Sequence, residues 1–409
     1  MTAAALDLPD LDVSRAELYA EDRWREPFAW LRANAPVHRV EDSKFGPYWS
    51  VSSYQPIVAV EAQPEVFSSS WRNGVSSITI AERPGGGKGF PNFIRMDAPE
   101  HSAQRKVVTP AFTPSEMARL AIDIRIRAGT LLDALPVGER FDWVDMVSIE
   151  LTTQMLAVLF DFPWEDRRLL PFWSDVAGNI EHFNDPAAQA VRIGHLEDMG
   201  RYFKRLWDER LAGDAAPDLL SRMIRSEVTG SLSMGEFIGA LTLLVIGGND
   251  TTRNTMSALV YALDNYPDQR AALEADPALT DNAVSELIRW QTPLAHMRRN
   301  AVRDVELDGQ TIRKGDKVVL WYISANRDEA VFPDAERFDV RRENARRHLA
   351  FGYGVHRCVG ARLAELQVRI LIEEMARRRL RAHVEAEPVR VAQSFVHGYE
   401  SMPVTLERY

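Results

Sequence analysis

The sequence predicts a mainly α-helical protein with small β-sheets. Helical patterns dominate between Pro99 and Arg289, whereas strand signals collect near the two ends of the chain. A length of 409 residues would ordinarily suggest two or three hydrophobic cores, yet no linker or internal repeat divides the chain. We therefore expect one domain over residues 1–409, with a large helical body, a long central helix and small sheets at one side.

The long central helix has the clearest predicted boundaries. Ser233 and Glu236 have the spacing of a capping box, an apolar run follows them, and Pro267 sets the far limit. Such a helix would be roughly 45 Å long, enough to cross a domain. Gly247 and Gly248 inside it cost about 1 kcal/mol each relative to alanine. We therefore expect them to mark a place where another group approaches the backbone.

Other elements follow the same patterning. Further helices are expected over residues 120–135, 148–159, 197–212 and 361–377. Strands are expected over residues 48–53, 305–320 and 379–406. Within the second of these stretches, Asp308-Gly309 has the composition of a two-residue hairpin turn.

Composition limits the classes of function. The 49 lysines and arginines against 59 aspartates and glutamates give a formal charge of −10, and no basic run suggests nucleic-acid binding. A single cysteine excludes internal disulfides and fits a reducing compartment. The N-terminal stretch has no signal-peptide pattern, and no apolar run approaches the ~20 residues of a membrane span. We therefore expect a cytoplasmic enzyme without a membrane anchor.

The one cysteine lies in a glycine-rich segment, residues 351–360, here called the cysteine loop. Gly352 and Gly354 can adopt backbone angles closed to other residues, and Gly360 allows close approach of a flat ligand. Loop N–H groups and the start of the following helix would stabilise a thiolate at Cys358. A lone cysteine is by itself more often a small buried apolar residue. It is this environment that favours a haem-thiolate ligand.

The cysteine loop resembles the haem-binding loop of the cytochrome P450 family. The family's Phe, Gly, Cys and Gly are matched here by Phe351, Gly354, Cys358 and Gly360. Three further family motifs occur in the expected order: the acid–alcohol pair Asp250-Thr251, the Glu-x-x-Arg pattern of Glu286 and Arg289, and a segment containing Arg337. The resemblance spans essentially the whole chain, is greatest to the bacterial type, and implies a cytochrome P450 fold with haem b bound through the Cys358 thiolate.

The resemblance also implies roles for individual residues. Thr251 would hydrogen-bond the reacting oxygen and Asp250 would help to deliver protons from solvent, because O–O cleavage needs a proton on the distal oxygen. Taken alone, the pair could equally mark a helix irregularity with local side-chain bonding. Other residues expected to contact haem are Phe351, Gly352, Gly360, Gly247 and Gly248. Cationic partners for its propionates are expected at His101, Arg105, Arg299 and His356.

Three charged residues are expected to be structural. By the family match, Glu286, Arg289 and Arg337 form a buried triad behind the cysteine loop. As an isolated helical pair, Glu286 and Arg289 would contribute only about 0.2–0.5 kcal/mol to stability. Their value as a family motif comes from their position between the long helix and the cysteine loop.

The resemblance implies a monooxygenase that uses O2 to hydroxylate a C–H bond. Four segments, beginning at residues 93, 249, 314 and 398, look similar to bacterial relatives that hydroxylate alkanes and fatty acids at the chain end. We therefore expect a linear aliphatic substrate, a medium-chain alkane or a fatty acid, held by a narrow pocket. The expected lining is Val75, Ile78, Ile80, Leu244, Leu294, Met297 and Phe395, each equally readable as core. The carboxylate of an acid could meet Arg72, Arg83, Lys88, His296 or His397.

Electrons are expected from another protein, because the chain has no dinucleotide fingerprint and no cysteines for an iron–sulfur cluster. The family's usual donor is a 2Fe–2S ferredoxin with an NAD(P)H-dependent reductase. An acidic ferredoxin could be steered by the arginines that bracket the cysteine loop, Arg341, Arg342, Arg346, Arg347, Arg362 and Arg369.

Other functions remain open from the sequence. They are a peroxide-driven peroxygenase, a hydroxylase of another apolar substrate such as a terpene or steroid, and a haem sensor that performs no chemistry. Relatives of the peroxygenase kind depart from the acid–alcohol pair, which is present here, and an intact proton relay argues against a sensor.

Overall fold

Helices form the body of the molecule and short strands form small sheets, as predicted. The computed structural model describes residues 11–73, 76–79, 90–181, 185–213 and 218–409. The helices are α1 Ala16–Ala20, α2 Arg25–Asn34, α3 Tyr54–Glu61, α4 Glu100–Val108, α5 Pro114–Asp133, α6 Glu150–Phe160, α7 Leu169–Gly178, α8 Pro186–Ala212, α9 Leu219–Arg225, α10 Met234–Asn265, α11 Pro267–Ala275, α12 Thr280–Gln291, α13 Tyr322–Ala325 and α14 Ala361–Arg378. In the described ranges, no helix is both long and apolar enough to cross a membrane.

The strands pair into four small sheets within the described residues. They are β1 Val37–Val40, β2 Tyr48–Val51, β3 Phe67–Ser68, β4 Phe141–Asp142, β5 His296–Ala301, β6 Val305–Leu307, β7 Gln310–Ile312, β8 Lys317–Trp321, β9 Leu380–Val384, β10 Val389–Arg390, β11 Tyr399–Ser401 and β12 Pro403–Arg408. The largest sheet has the order β1-β2-β8-β5-β3, with β2 and β8 parallel and the other pairs antiparallel. The others are β4-β12-β9, β10-β11 and the β6-β7 hairpin.

The long helix α10 confirms its predicted boundaries. The Ser233 hydroxyl accepts from the Glu236 N–H, and the Glu236 carboxylate accepts from the Ser233 N–H at 2.9 Å, so the capping box is complete. The helix ends at Asn265, two residues before Pro267. It packs against α6, α7, α8, α12 and α14, which places it at the centre of the helical body.

Local signals located some elements well and others poorly. The Asp308-Gly309 turn has φ values of 51° and 75° and joins β6 to β7, as predicted. Helix α8 begins at Pro186, eleven residues before its predicted start, where the Asp185 carboxylate accepts from the N–H groups of the first turn. Strand β5 is not predicted, because its sequence does not alternate between apolar and polar residues. All six of its residues are buried.

A buried carboxylate organises the chain behind the cysteine loop. Glu286 and Arg289 are fully buried on α12, and the two Arg289 nitrogens donate to the Glu286 oxygens at 2.7 and 2.8 Å. Arg342 donates from Nε to both oxygens of Glu286 at 3.0 and 3.1 Å. The two guanidinium groups also donate to backbone carbonyls of residues 333–337. A buried ion cluster of this kind tolerates no missing partner.

The predicted place of Arg337 in this triad is wrong. Its side chain is about half exposed and pairs with Asp268 at 2.5 Å, while its carbonyl accepts from Arg289 and Arg342. The backbone turns at Asp334, where φ is 50°, three residues before Arg337. Arg342, which the sequence suggested for a partner surface, is the buried third member.

The two arginines therefore predict different mutational effects. Arg342→Ala leaves the Glu286 charge buried with fewer partners and is expected to cost about 3–5 kcal/mol of unfolding free energy. Arg337→Ala removes an exposed pair and is expected to cost less than about 1 kcal/mol. Denaturant unfolding of both haem-loaded variants measures the difference. Equal losses would contradict the assignment of Arg342.

Candidate functional site

The cysteine loop has a backbone geometry that favours glycine at two positions. Gly352 and Gly354 have φ values of +69° and +64°. A Cβ on Gly354 would lie 2.6 Å from the carbonyl oxygen of Glu61. The Cys358 N–H donates to the Phe351 carbonyl at 2.8 Å and closes the loop just before α14.

The Cys358 sulfur is available as a ligand. The residue retains accessible surface, yet dense protein around the sulfur desolvates it, and this burial raises the pKa of the thiol. A hydrogen bond from the Gly360 N–H and the charges of Arg105 and Arg357 act in the opposite direction. These groups would stabilise the thiolate that a metal requires.

Glu61 joins the sheet side of the molecule to the cysteine loop, and no sequence pattern predicts this role. Its buried carboxylate accepts from Arg299, from the Tyr322 hydroxyl and from the Tyr353 N–H, each at 2.8 Å. Burial raises the pKa of Glu61, while these donors lower it. A Glu at the end of a short amphipathic helix resembles any surface residue, so only its tertiary contacts reveal this role.

The four residues predicted for the haem propionates form one group, here called the histidine–arginine cluster: His101, Arg105, Arg299 and His356. The rings of His101 and His356 lie 4.2 Å apart. Burial, followed by the charges of Arg299, His101 and Arg105, lowers the pKa of His356 to about 2. In the part of the chain that the structure describes, His101 Nε2 and His356 Nδ1 are buried without a hydrogen-bond partner. Unpartnered donors beside arginines suit anionic carboxylates, so these residues fit the propionates of haem.

The two glycines of α10 serve different purposes. A Cβ on Gly248 would lie 2.6 Å from Leu156 Cδ2, so this glycine lets α10 pack closely on α6. The expected contact of Gly248 with the cofactor stays a prediction, and it would have to be made by the backbone. Gly247 has open space where its Cβ would be and lines the cleft described below, together with Asp250 and Thr251. The Thr251 hydroxyl donates to the Gly247 carbonyl at 3.3 Å.

Asp250 is held in a polar network that leads outward. Its Oδ1 accepts from the Ser174 hydroxyl at 2.7 Å and from the Asn249 amide at 3.0 Å. Arg253 lies 3.5 Å from Asp250 and 2.5 Å from Asp175, whose side chain is about half exposed. Burial raises the pKa of Asp175, Arg253 lowers it and Asp250 raises it further. The network thus joins a buried acid on α10 to a carboxylate at the surface of α7.

A cleft of about 1450 Å³ lies beside these residues. Of the residues predicted to line a substrate pocket, Leu294, Met297 and Phe395 do so. Ile78 is instead fully buried in an apolar core with Phe45 and Trp321, and Leu244 packs in the helical core. Val75 and Ile80 lie outside the described residues. The helical period of a sequence does not show which side of a buried helix faces a cavity. The sequence therefore predicts Leu244 as a lining residue, whereas its neighbour Leu243 lines the cleft.

Most apolar residues that line the cleft are not predicted from the sequence. Apolar residues that line the cleft without having been predicted include Trp71, Phe90, Ile94, Leu196, Leu243, Ile246 and Val396. Two predicted partners for a carboxylate are unsuitable, because burial lowers the pKa of His296 and His397 to about 3 and neither lines the cleft. Arg72 is paired with Glu100 at 2.9 Å. Arg83 and Lys88 lie outside the described residues.

The arginines near the cysteine loop divide by exposure. Arg341, Arg346, Arg347 and Arg362 are exposed, whereas Arg342 is buried. Arg369 is partly exposed and lies 3.6 Å from Asp281. Four of the six thus remain available to an acidic partner.

Comparison with known proteins gives consistent matches over the whole chain. Residues 130–378 match the family model for cytochrome P450. Linalool 8-monooxygenase of Pseudomonas putida is 36% identical over 405 residues, covering 97% of this chain and 98% of that protein. Methyl-branched lipid omega-hydroxylase of Mycobacterium tuberculosis is 33% identical over 420 residues, covering 97% and 96%. The solved structure of cytochrome P450-153 from Novosphingobium aromaticivorans is 54% identical, with a TM-score of 0.92 and coverage of 97% and 99%.

The close approach at Gly354 gives a test of the loop. Gly354→Ala is expected to lower both haem content and the thermal midpoint, because its Cβ meets a backbone oxygen as well as requiring a positive φ. Gly138→Ala is the matched control, since Gly138 has a φ of +83° but open space around its Cβ. It is expected to lose only about 1–2 kcal/mol from strain. The Soret-to-protein absorbance ratio reports haem content, and an unaffected Gly354→Ala protein would refute the steric argument.

Proposed function

This chain belongs to the cytochrome P450 family of haem-thiolate monooxygenases, and from that premise we propose that it hydroxylates linear aliphatic molecules, medium-chain alkanes or fatty acids, at the terminal carbon. The observation that carries the proposal is the cleft. Its wall combines the apolar side chains of Leu294, Met297 and Phe395 with Asp250 and Thr251 of α10. Oxidation of a terminal methyl group requires the end of the chain to be held in place, and apolar side chains beside the acid and the alcohol can hold it.

The names of two relatives support the substrate class. One is called a methyl-branched lipid omega-hydroxylase, a name that describes oxidation at the end of a lipid chain. The other is called a linalool 8-monooxygenase. This second name favours a terpene as the alternative substrate. Such a terpene shares with a lipid chain a flexible, mainly aliphatic carbon skeleton.

The family's cofactor is haem with an axial cysteine thiolate, and Cys358 is the one cysteine of the chain. When bound, such a haem activates O2 and oxidises a C–H bond of the substrate. We assign Cys358 Sγ as the iron ligand, with the Gly360 N–H donating to it. The histidine–arginine cluster would hold the propionates, since it offers buried nitrogen atoms without partners in the described chain.

We assign proton delivery to α10 and α7. The Thr251 side chain lines the cleft beside Asp250, the preceding residue, and its hydroxyl would donate to a group bound in the cleft in place of the Gly247 carbonyl. The Ser174 hydroxyl donates to Asp250 Oδ1 at 2.7 Å and so holds this carboxylate in place. Asp175, on the other side of Arg253, has a half-exposed carboxyl group whose pKa is raised, which suits exchange of protons with solvent.

Members of this family normally receive electrons from redox partners. We propose a 2Fe–2S ferredoxin and its NAD(P)H-dependent reductase as the donor. Arg341, Arg346, Arg347 and Arg362 are exposed near the cysteine loop on a chain of net charge −10. They would attract an acidic ferredoxin to the face where the thiolate lies.

An optical titration tests the proposed substrate. Ferric, haem-loaded protein is titrated with n-alkanes, fatty acids and linalool while the Soret band is followed. A low-to-high-spin shift that saturates best at one linear chain length, followed by terminal hydroxylation of that compound, is the expected result. A shift with linalool alone would replace the linear substrate with a terpene. No shift with any of these compounds would refute the proposed substrate class.

Substitution at Thr251 tests the proton assignment. Thr251→Ala is expected to consume NAD(P)H at a comparable rate with a ferredoxin and reductase, but to release hydrogen peroxide in place of most of the hydroxylated product. The reason is that the hydroxyl that positions a proton in the cleft has been removed. Thr255→Ala is the matched control, because its hydroxyl donates to the Thr251 carbonyl at 2.8 Å within the helix. Unchanged coupling in Thr251→Ala would exclude the role, and failure of wild-type turnover with 2Fe–2S ferredoxins would exclude the partner.

A further inference from the structure

Two neighbouring strands place an unusual group of polar side chains beside the cleft. Arg298 and Asn300 point to the same face of β5, because they are two residues apart in a strand. Asn300 is paired in register with Lys317 of β8. Arg298 and Lys317 both line the cleft. These three residues are here called the β5–β8 cluster.

Arg298 is a buried cation whose donors are not all used by the residues that the structure describes. Its Nε and Nη2 donate to Asn300 Oδ1 at 3.1 and 2.6 Å, and its Nη1 donates to the Thr79 carbonyl at 2.9 Å. A guanidinium has five N–H groups, so donors remain after these contacts. Only about 5% of the residue surface is exposed.

Lys317 is in a similar position. Its ammonium group donates to the carbonyls of Phe45 and Ile78 at 2.5 and 3.1 Å. Because an ammonium has three donors, one is left without an acceptor among the described residues. Both of its partners are neutral backbone oxygens, so they satisfy hydrogen bonds without neutralising the charge.

Asn300 supplies an independent indication of a missing acceptor. Its Oδ1 must face Arg298, because arginine can only donate, and this fixes the orientation of the amide. The Nδ2 group is then buried without a hydrogen-bond partner among the described residues, and Asn300 is only about 2% exposed. Burying an amide donor without an acceptor costs free energy, so an acceptor is expected to lie there in the functional protein.

The charges around the cluster are also unbalanced. Within the part of the chain that the structure describes, Arg298 and Lys317 form no ion pair. Burial and the charge of Arg95 lower the pKa of Arg298 to about 9, so it is still charged at neutral pH. Burial, Arg298 and Arg39 lower the pKa of Lys317 to about 7. Asp316 is engaged by the Trp49 indole N–H, the Arg313 N–H and Arg39.

We propose that the β5–β8 cluster binds the carboxylate of the substrate, which makes the substrate a fatty acid in preference to an alkane. This inference rests on the proposed function, since it chooses between the two substrate classes named there. A carboxylate is planar with two acceptor oxygens, which matches the fork of Arg298. Lys317 and the Asn300 amide supply the remaining donors.

This arrangement also orients the chain. The cluster lies on β5 and β8, while Thr251 and Asp250 line the same cleft from α10. An acid bound through its carboxylate at the cluster directs its alkyl chain along the apolar wall toward α10. The carbon farthest from the carboxylate is then the one presented for oxidation.

The first test needs no mutation. Haem-loaded wild-type protein is titrated with a fatty acid, its methyl ester and the n-alkane of equal carbon number, using the Soret shift to obtain Kd. The acid is expected to bind about 10- to 100-fold more tightly than the ester, the range for a charged hydrogen bond. Equal Kd values for acid, ester and alkane would overturn the inference and leave the proposed function intact. Absence of binding by all three would instead remove the proposed function.

Variants locate the carboxylate. Arg298→Met and Lys317→Met are each expected to weaken binding of the acid about tenfold or more while leaving the Kd of the ester within about twofold. Arg298→Lys keeps the charge but loses the fork, and serves if Arg298→Met does not fold. Arg72→Met is the matched control, because Arg72 lines the cleft but is already paired with Glu100. Loss of acid binding in Arg72→Met with retention in both cluster variants would overturn the assignment.

Discussion

The structure depends on a carboxylate that water cannot reach. Glu286 is fully buried, and its charge is tolerable only because Arg289 and Arg342 surround it with donors. Those two arginines then use their remaining N–H groups on the carbonyls of residues 333–337, a stretch that forms no regular hydrogen-bonded element of its own. The ion cluster therefore supplies hydrogen bonds to backbone carbonyls of this segment, as a helix or a sheet does elsewhere in the chain. The chain that leads to Cys358 is anchored through it.

A second buried carboxylate, that of Glu61, connects this scaffold to the site. It receives Arg299 of β5, Tyr322 of α13 and the backbone of Tyr353 in the cysteine loop. The carbonyl of the same residue sets the space that makes glycine necessary at position 354. One residue thus constrains the loop from both its side chain and its backbone. The cysteine loop and Arg299 are therefore positioned by the same carboxylate, which fixes the loop relative to strand β5.

The walls of the cleft divide the chemistry between them. Helix α10 contributes an acid and an alcohol connected outward through Ser174 and Arg253. Strands β5 and β8 contribute Arg298, Lys317 and an amide donor, and these two cations form no ion pair among the described residues. Between them the cleft has an apolar lining. Under the function proposed above, walls of such different chemistry would distinguish the two ends of an amphipathic chain. Regioselectivity would then follow from the orientation of the substrate.

Features that depend on local rules could be predicted from the sequence. The cap at Ser233, the turn at Asp308-Gly309, the left-handed glycines of the cysteine loop and the family were all evident from residue type and spacing. Which side chains meet became visible only in the folded chain. There Arg342 rather than Arg337 contacts Glu286, Ile78 and Leu244 lie in the core, and Glu61 is a central link. Local pattern specifies period and conformation, whereas burial and ion pairing depend on residues far apart in the chain, whose approach only the complete fold defines.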